Sequence, residues 1–316
     1  MNTLVYSDNR GIIMANYQNC LDFYPDSLNK LNILYSFSKK ISIIDGAKPA
    51  TNRRTEILEK TVEKILLHDK SILTLLFSLA SNSINEIDVS LIASATRNIM
   101  ESANQFFYVS ERGLSTEELN FRMDIMHRNE VVNIIDIANK LGFSQNCFRA
   151  GLDKGYLDHL NNEFKESAKY LELKNHEITH ILSGRKPTFQ AKPIRILENE
   201  IESAVFNLLS NSVHGFRLGL VSNSFNKTSA FHNFFNTEQL LVLSLIVSRI
   251  YTAHVVKDYL DLRKRLYSLL EPNEKSLLKS YMSCDDLSSY IQVIRSQYER
   301  DPFSEILNAV KLNHTK

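Results

Sequence analysis

Apolar positions recur at intervals of three and four residues along most of the chain, the period of an amphipathic α-helix. Between Ile87 and Arg112, Ile92, Ala95, Ile99, Ala103 and Phe106 fall on one stripe, and Gly113 follows where a C-cap glycine belongs. Ser115 with Glu118 reads as a capping box that opens the next helix, which runs to about Leu141 and ends at Gly142. A long helix is then expected from about Leu152 to Ser183. Its stripe is Leu157, Leu160, Phe164, Ala168, Leu171, Ile178 and Leu182, and Gly184 closes it. Arg185 to Pro193 holds two prolines and reads as a loop. Another helix is expected from Ile194 to Val213, a Ser/Asn/Phe-rich connection over Phe216 to Asn236, and a strong helix from Thr237 to Leu270, stopped by Pro272. Helical patterns also cover Glu274 to Leu278 and Asp286 to Tyr298.

Strand signals are few. Leu4 to Tyr6 with Ile12 to Met14, around Asn9-Arg10-Gly11, is compatible with a small hairpin, and Ile41 to Ile44 is ambiguous. The expected fold is therefore all-α, a multi-helix bundle of long amphipathic helices. Residues 1–50 form an N-terminal segment with no well-defined element beyond that hairpin, and residues 51–316 form the helical domain, with a motif-bearing core at about 87–220 and C-terminal helices over 237–316.

Composition narrows the class of function. The 316 residues carry 37 Lys+Arg against 36 Asp+Glu, so no bulk positive charge would hold the chain to nucleic acid; a local basic groove would not show in that total. Cys20, Cys147 and Cys284 are far apart and form no C-x-x-C pair, which argues against a disulfide framework and suggests a reducing cytoplasm. No signal peptide is visible. The apolar run Leu240 to Val247 falls short of the roughly 20 residues of a membrane span, so no membrane association is expected.

Three constellations are candidates for chemistry. His176-Glu177-Ile178-Thr179-His180 matches H-E-x-x-H, which sets two imidazoles one helical turn apart for zinc with the glutamate as general base. Glu200, in Asn199-Glu200-Ile201-Glu202-Ser203, resembles the third ligand of thermolysin-like zinc peptidases. Against this zinc alternative, the apolar stripe at 164, 168, 171, 178 and 182 lies nearly opposite both histidines. They share their face with Lys165, Lys169 and Glu172. The second constellation, Arg122 to His127, has the R-x(4)-H spacing of HEPN ribonucleases, where the pair acts on RNA across a dimer interface. An imidazole near neutrality moves the 2′-OH proton and a guanidinium holds the phosphate. Met123 stands where those motifs usually carry a polar residue.

The third constellation is a pair of helical segments. Arg97, Glu101, Asn104 and Tyr108 form one polar line; Ser203, Asn207, Ser210, His214 and Arg217 form another. Facing each other, the two would line a cleft. His214, just before Gly215, would sit at a helix C-terminus, where the dipole raises an imidazole's pKa. The plain alternative is an i,i+4 ion pair at Arg97–Glu101 and a helix-end histidine.

These residues resemble an uncharacterised family of helical bacterial proteins with an early R-x-x-x-E helix and, roughly one hundred residues later, an aromatic-x-x-L-S-x-x-V-H-G-like helix. Here they are Arg97, Glu101 and Tyr108, then Phe206, Leu209, Ser210, Val213, His214 and Gly215, within about Ile87 to Leu220. Phe206 replaces the family's usual tyrosine. The resemblance implies a loosely HEPN-like helical protein belonging to a mobile-element, toxin or anti-phage system.

The favoured expectation is thus an effector or partner subunit of such a system, with metal-independent RNA cleavage or another nucleic-acid-linked activity. Arg97, Glu101 and His214 would be catalytic, with Arg122 and His127 as a second pair. Tyr108, Ser210 and Arg217 would contact substrate, and no cofactor is called for. A protein partner or a homodimer is expected. The alternatives are the zinc peptidase and a non-catalytic binding or scaffold module, whose long helix from Thr237 would bury Leu240, Leu243, Ile246, Ile250 and Leu260 against a partner or in its own core.

Overall fold

A computed structural model describes residues 22–46, 50, 52–84, 87–143, 154–170, 173–184, 187–188, 196–213 and 237–299. Among these the chain is all-α, with no strand. The helices are α1 (Phe23–Gly46), α2 (Arg53–Ala80), α3 (Val89–Ser110), α4 (Thr116–Lys140), α5 (Lys154–Tyr170), α6 (Asn175–Leu182), α7 (Asn199–Val213), α8 (Thr237–Leu262), α9 (Lys264–Tyr267), α10 (Pro272–Tyr281) and α11 (Asp285–Glu299). The hairpin expected at residues 4–14 lies outside the described residues, as does the connection 216–236.

Contacts divide the chain into two compact units: Met1–Lys48, Thr61–Ala103 and Arg195–Lys316 in the first, Pro49–Lys60 and Asn104–Ile194 in the second. In the first unit α8 is the core. Every residue from Val242 to Ala253 is buried, and α1, α9, α10 and α11 pack against it. The helix is long and apolar enough to cross a membrane, yet 89% of its apolar window is buried within the protein, which is the condition of a core helix. Its polar groups are matched locally. Thr96 of α3 meets the Ser248 hydroxyl at 3.0 Å, and Thr252 donates to Asp69 of α2 at 2.9 Å.

Helix α1 lies in the stretch that sequence periodicity left unassigned. Ile41 to Ile44, ambiguous in sequence, is helical, and Leu31, Leu34, Phe37 and Ile41 are buried at helical spacing. Pro25 is accommodated because it falls in the first turn. At the other end, Asp45 is 2% exposed and accepts hydrogen bonds from the Tyr259 hydroxyl and from Arg263 (Nη2 at 2.6 Å).

That Arg263 marks a correction. The expected Thr237–Leu270 helix ends at Leu262, where Arg263 leaves helical geometry, and only the short α9 follows. Pro272 does not stop a helix but begins one, at N1 of α10, where its missing N–H costs nothing; Glu274 accepts from the Glu271 N–H at 2.9 Å.

In the second unit α5 packs on α4 and α6 on α5. Ser115 caps α4 as expected, its hydroxyl accepting from the Glu118 N–H at 3.1 Å. The Glu118 carboxylate, however, pairs with Arg122 at 2.7 Å. The helix expected from Leu152 to Ser183 is two helices. Buried Leu173 and extended Lys174 separate them, and Glu177 accepts from the Lys174 N–H at 3.2 Å to start α6. Gly184 closes α6 at φ +68, in the left-handed region, with a Val132 methyl carbon 2.6 Å from where a Cβ would stand.

Candidate functional site

Of the two motif segments, Arg97 of α3 and Phe206 of α7 are in contact, while Ser203 and Asn207 of the second polar line are exposed. Arg97 lies on α3 one turn before Glu101; its Nε donates to the carboxylate oxygen Oε1 at 3.1 Å and its Nη2 is ion-paired with the same oxygen at 2.9 Å. The guanidinium lies over the Phe206 ring of α7, 5.4 Å from the centroid, within cation–π range. Arg97, Glu101, Phe206 and Ser210 are all half-buried. The helix expected from Ile194 begins at Asn199, after bends at Ile196 and Leu197, and Val205, Leu209 and Ser212 form its buried stripe. Ser210 sits one turn beyond Phe206. His214 and Arg217 lie outside the described residues.

Tyr108, expected to contact substrate on the same polar line as Arg97, belongs to the second unit and is 5% exposed. Its ring stacks under the Arg122 guanidinium at 4.6 Å, and its carbonyl accepts from Arg122 Nη1 at 2.7 Å. Tyr108 is therefore packed as a structural residue.

The R-x(4)-H pair separates for the same reason. Arg122 is 6% exposed and turned inward, donating to Glu111 at 2.6 Å and Glu118 at 2.7 Å besides the Tyr108 carbonyl. Burial works against its charge, but the bonds to Glu111 and Glu118 outweigh it and hold its pKa above the ordinary value. His127 instead meets the Tyr156 hydroxyl of α5 at 2.9 Å and Glu130 at 3.6 Å. Five residues on a helix turn the side chain by about 140°, so the two groups address different neighbours.

The H-E-x-x-H segment fills the eight-residue α6. His176 is exposed and His180 half-buried, and Glu177 caps the start of the helix. Glu200 lies exposed at the start of α7, in the first unit, whereas both histidines are in the second. No group of three His, Cys, Asp or Glu side chains able to hold a metal ion occurs among the described residues.

What the sequence reading missed is a set of buried ionisable groups. Arg128, 2% exposed, closes the C-terminal end of α6: it donates to the Ile181 carbonyl, to Leu182 O at 2.6 Å and to Asn161 at 2.6 Å. Burial lowers its pKa. Asp69 is fully buried, and burial raises its carboxyl well above the usual range despite the Thr252 bond; its Oδ1 has no partner. Arg249, 2% exposed at the middle of α8, reaches Asp286 at 3.2 Å, and burial lowers its pKa. A signal existed for Arg128 and Asp69. Phe121, Ile125, Arg128 and Val131 share one helical stripe, as do Ile65, Asp69, Ile72 and Leu76; a polar residue inside an apolar stripe marks a buried polar group.

No protein-family model matches the chain, and neither curated proteins nor solved structures give a match. The functional reading therefore rests on the residues themselves.

Proposed function

We propose that the chain is an effector or partner subunit of a bacterial anti-phage defence or toxin-type system, and that it acts on RNA through the face where Arg97 of α3 meets Phe206 of α7. One observation carries this reading: the two sequence-distant motif segments come into contact at Arg97, whose guanidinium has an aromatic ring beneath it and a carboxylate at one edge. A planar cation held in this way suits a phosphodiester, and an adjacent ring suits an unstacked base. The reading assigns proton transfer to His214, outside the described residues, and needs no metal. It makes the protein cytoplasmic, where its substrate is.

Expression of the chain in a bacterial host is expected to arrest growth with cleavage of cellular RNA. His214→Ala and Arg97→Ala should each abolish both effects while the purified variants keep the wild-type melting temperature. Arrest and cleavage undiminished in both variants would remove the site from the activity.

A second reading, a non-catalytic binding module, is favoured by a different observation. Ile137, Leu141 and Phe143, at the end of α4, are 56%, 64% and 53% exposed. Neighbouring exposed apolar side chains of this size suit a protein partner or a second copy of the chain. Light scattering on the purified protein tests the second copy: a dimer converted to monomer by Leu141→Glu supports self-association through this face, and a monomer in both proteins refutes self-association.

A further inference from the structure

The Arg97 site also defines how its guanidinium is aimed. Glu101 Oε1 sits at one edge, accepting from Nε at 3.1 Å and ion-paired with Nη2 at 2.9 Å. A guanidinium has five N–H groups in a fixed planar fork. The opposite edge, formed by Nη1 and the second N–H of Nη2, therefore points away from the carboxylate. The Phe206 ring lies beneath the guanidinium, its centroid 5.4 Å from the central carbon. Arg97 keeps 27% of its side chain accessible and Glu101 keeps 42% of its own, so an anion can reach the pair.

We propose that Phe206 is a positioning residue of the site: its ring and the Glu101 carboxylate together orient Arg97 so that the Nη1–Nη2 edge is presented to a phosphodiester oxygen pair. Phe206 acts by its face alone, through the quadrupole of the ring, and has no proton to give. Glu101 acts through Arg97 and not on the ligand, to which its negative charge is repulsive. This assignment rests on the RNA-directed reading above and goes beyond it by naming which atoms meet the phosphate and what aims them.

The probe is a short fluorescent single-stranded RNA whose non-hydrolysable backbone carries 2′-O-methyl groups, titrated with the purified full chain over a range of salt. Losing one phosphate contact lowers the slope of log K against log salt by about 0.7 for a single strand. Arg97→Ala is expected to show that change. Phe206→Leu, which keeps an apolar side chain but removes the ring, should weaken binding about three- to tenfold and reduce the slope in the same direction. Phe206→Tyr, which keeps the ring, should restore wild-type affinity and slope.

Wild-type affinity and slope in Phe206→Leu would overturn the assignment while leaving the RNA reading intact. Absence of RNA binding by the wild-type chain would sink both. Should Phe206→Leu fail to fold, Arg97→Lys decides: it keeps the charge but not the planar fork, and wild-type affinity in that variant would equally overturn the proposal.

Discussion

Arg122→Ala separates a catalytic arginine from a structural one. In the structure this side chain reaches Tyr108 O at 2.7 Å, within the last turn of α3, where carbonyls lack intrahelical donors. Removing it leaves that buried carbonyl without its charged donor, at about 1.5–3 kcal/mol. The stack on the Tyr108 ring, at 4.6 Å, adds about 0.5–2 kcal/mol. The two carboxylates contribute less, because Glu111 and Glu118 are 47% and 35% exposed and rehydrate when the partner goes; about 0–1 kcal/mol each is reasonable. Arg54 limits the damage by donating to Val109 O at 3.0 Å and Glu111 O at 3.2 Å, so the helix end is not stripped bare. The expected loss is about 3 kcal/mol in urea unfolding followed by circular dichroism, as a lower midpoint at constant slope. Arg122→Lys should recover less than half of it, since an ammonium cannot fork to these acceptors. A loss below about 1 kcal/mol, combined with lost RNA cleavage, would refute the structural assignment and return Arg122 to the active site.

Arg128→Met should release the end of α6, seen as faster hydrogen exchange over residues 175–182 with α4 amides unchanged; equal protection in both proteins would contradict the clamp. Gly184→Ala and Gly113→Ala ask for the same left-handed backbone, at φ +68 and +83, but only the first brings a Cβ within 2.6 Å of a Val132 methyl carbon, while the second meets nothing within 4 Å. Thermal unfolding should show Gly184→Ala as the costlier by about 1–3 kcal/mol, and equal losses would mean that Val132 yields freely. Because burial raises the Asp69 carboxyl above its unfolded value, the stability this group contributes is complete below about pH 4 and falls as pH rises toward its folded pKa. The wild-type minus Asp69→Asn stability difference should therefore decline by up to about 1.4 kcal/mol per pH unit above about pH 4, and a flat difference would show that Asp69 is charged or solvated.

How far the sequence was legible depended on whether local chemistry or tertiary packing made the decision. The α3 stripe, the Gly113 and Gly142 stops and the Ser115 cap were readable because each is fixed by residues within a turn of one another. The break between α5 and α6 was not. An unbroken helical pattern crosses it, and what ends the run is Leu173 going into the core together with Arg128, more than forty positions earlier in the chain, holding the far end of α6. Pro272 was misread for the opposite reason: a proline interrupts or initiates a helix depending on where the preceding helix has already ended, and that was decided by Arg263 turning to Asp45.

The same distinction governs the candidate site. Motif spacing selects residues by their distance along one helix, and that alone singles out Arg97–Glu101, Arg122–His127 and His176–His180. Whether a charged side chain is available to a ligand depends instead on its other neighbours. Arg122 and Arg128 sit inside or beside apolar stripes of α4, and they are held by backbone carbonyls that no motif contains. A guanidinium with several buried acceptors cannot also orient a phosphate without leaving those acceptors bare, and that cost of several kcal/mol, on the order of 1–3 for each, exceeds what one surface phosphate contact returns. Arg97 differs in kind. Its partners are a half-exposed carboxylate and a half-buried ring, so a ligand can engage it without uncovering a buried group. Among the arginines singled out from the sequence and described in the structure, Arg97 is accordingly the one whose engagement would leave the fold unchanged.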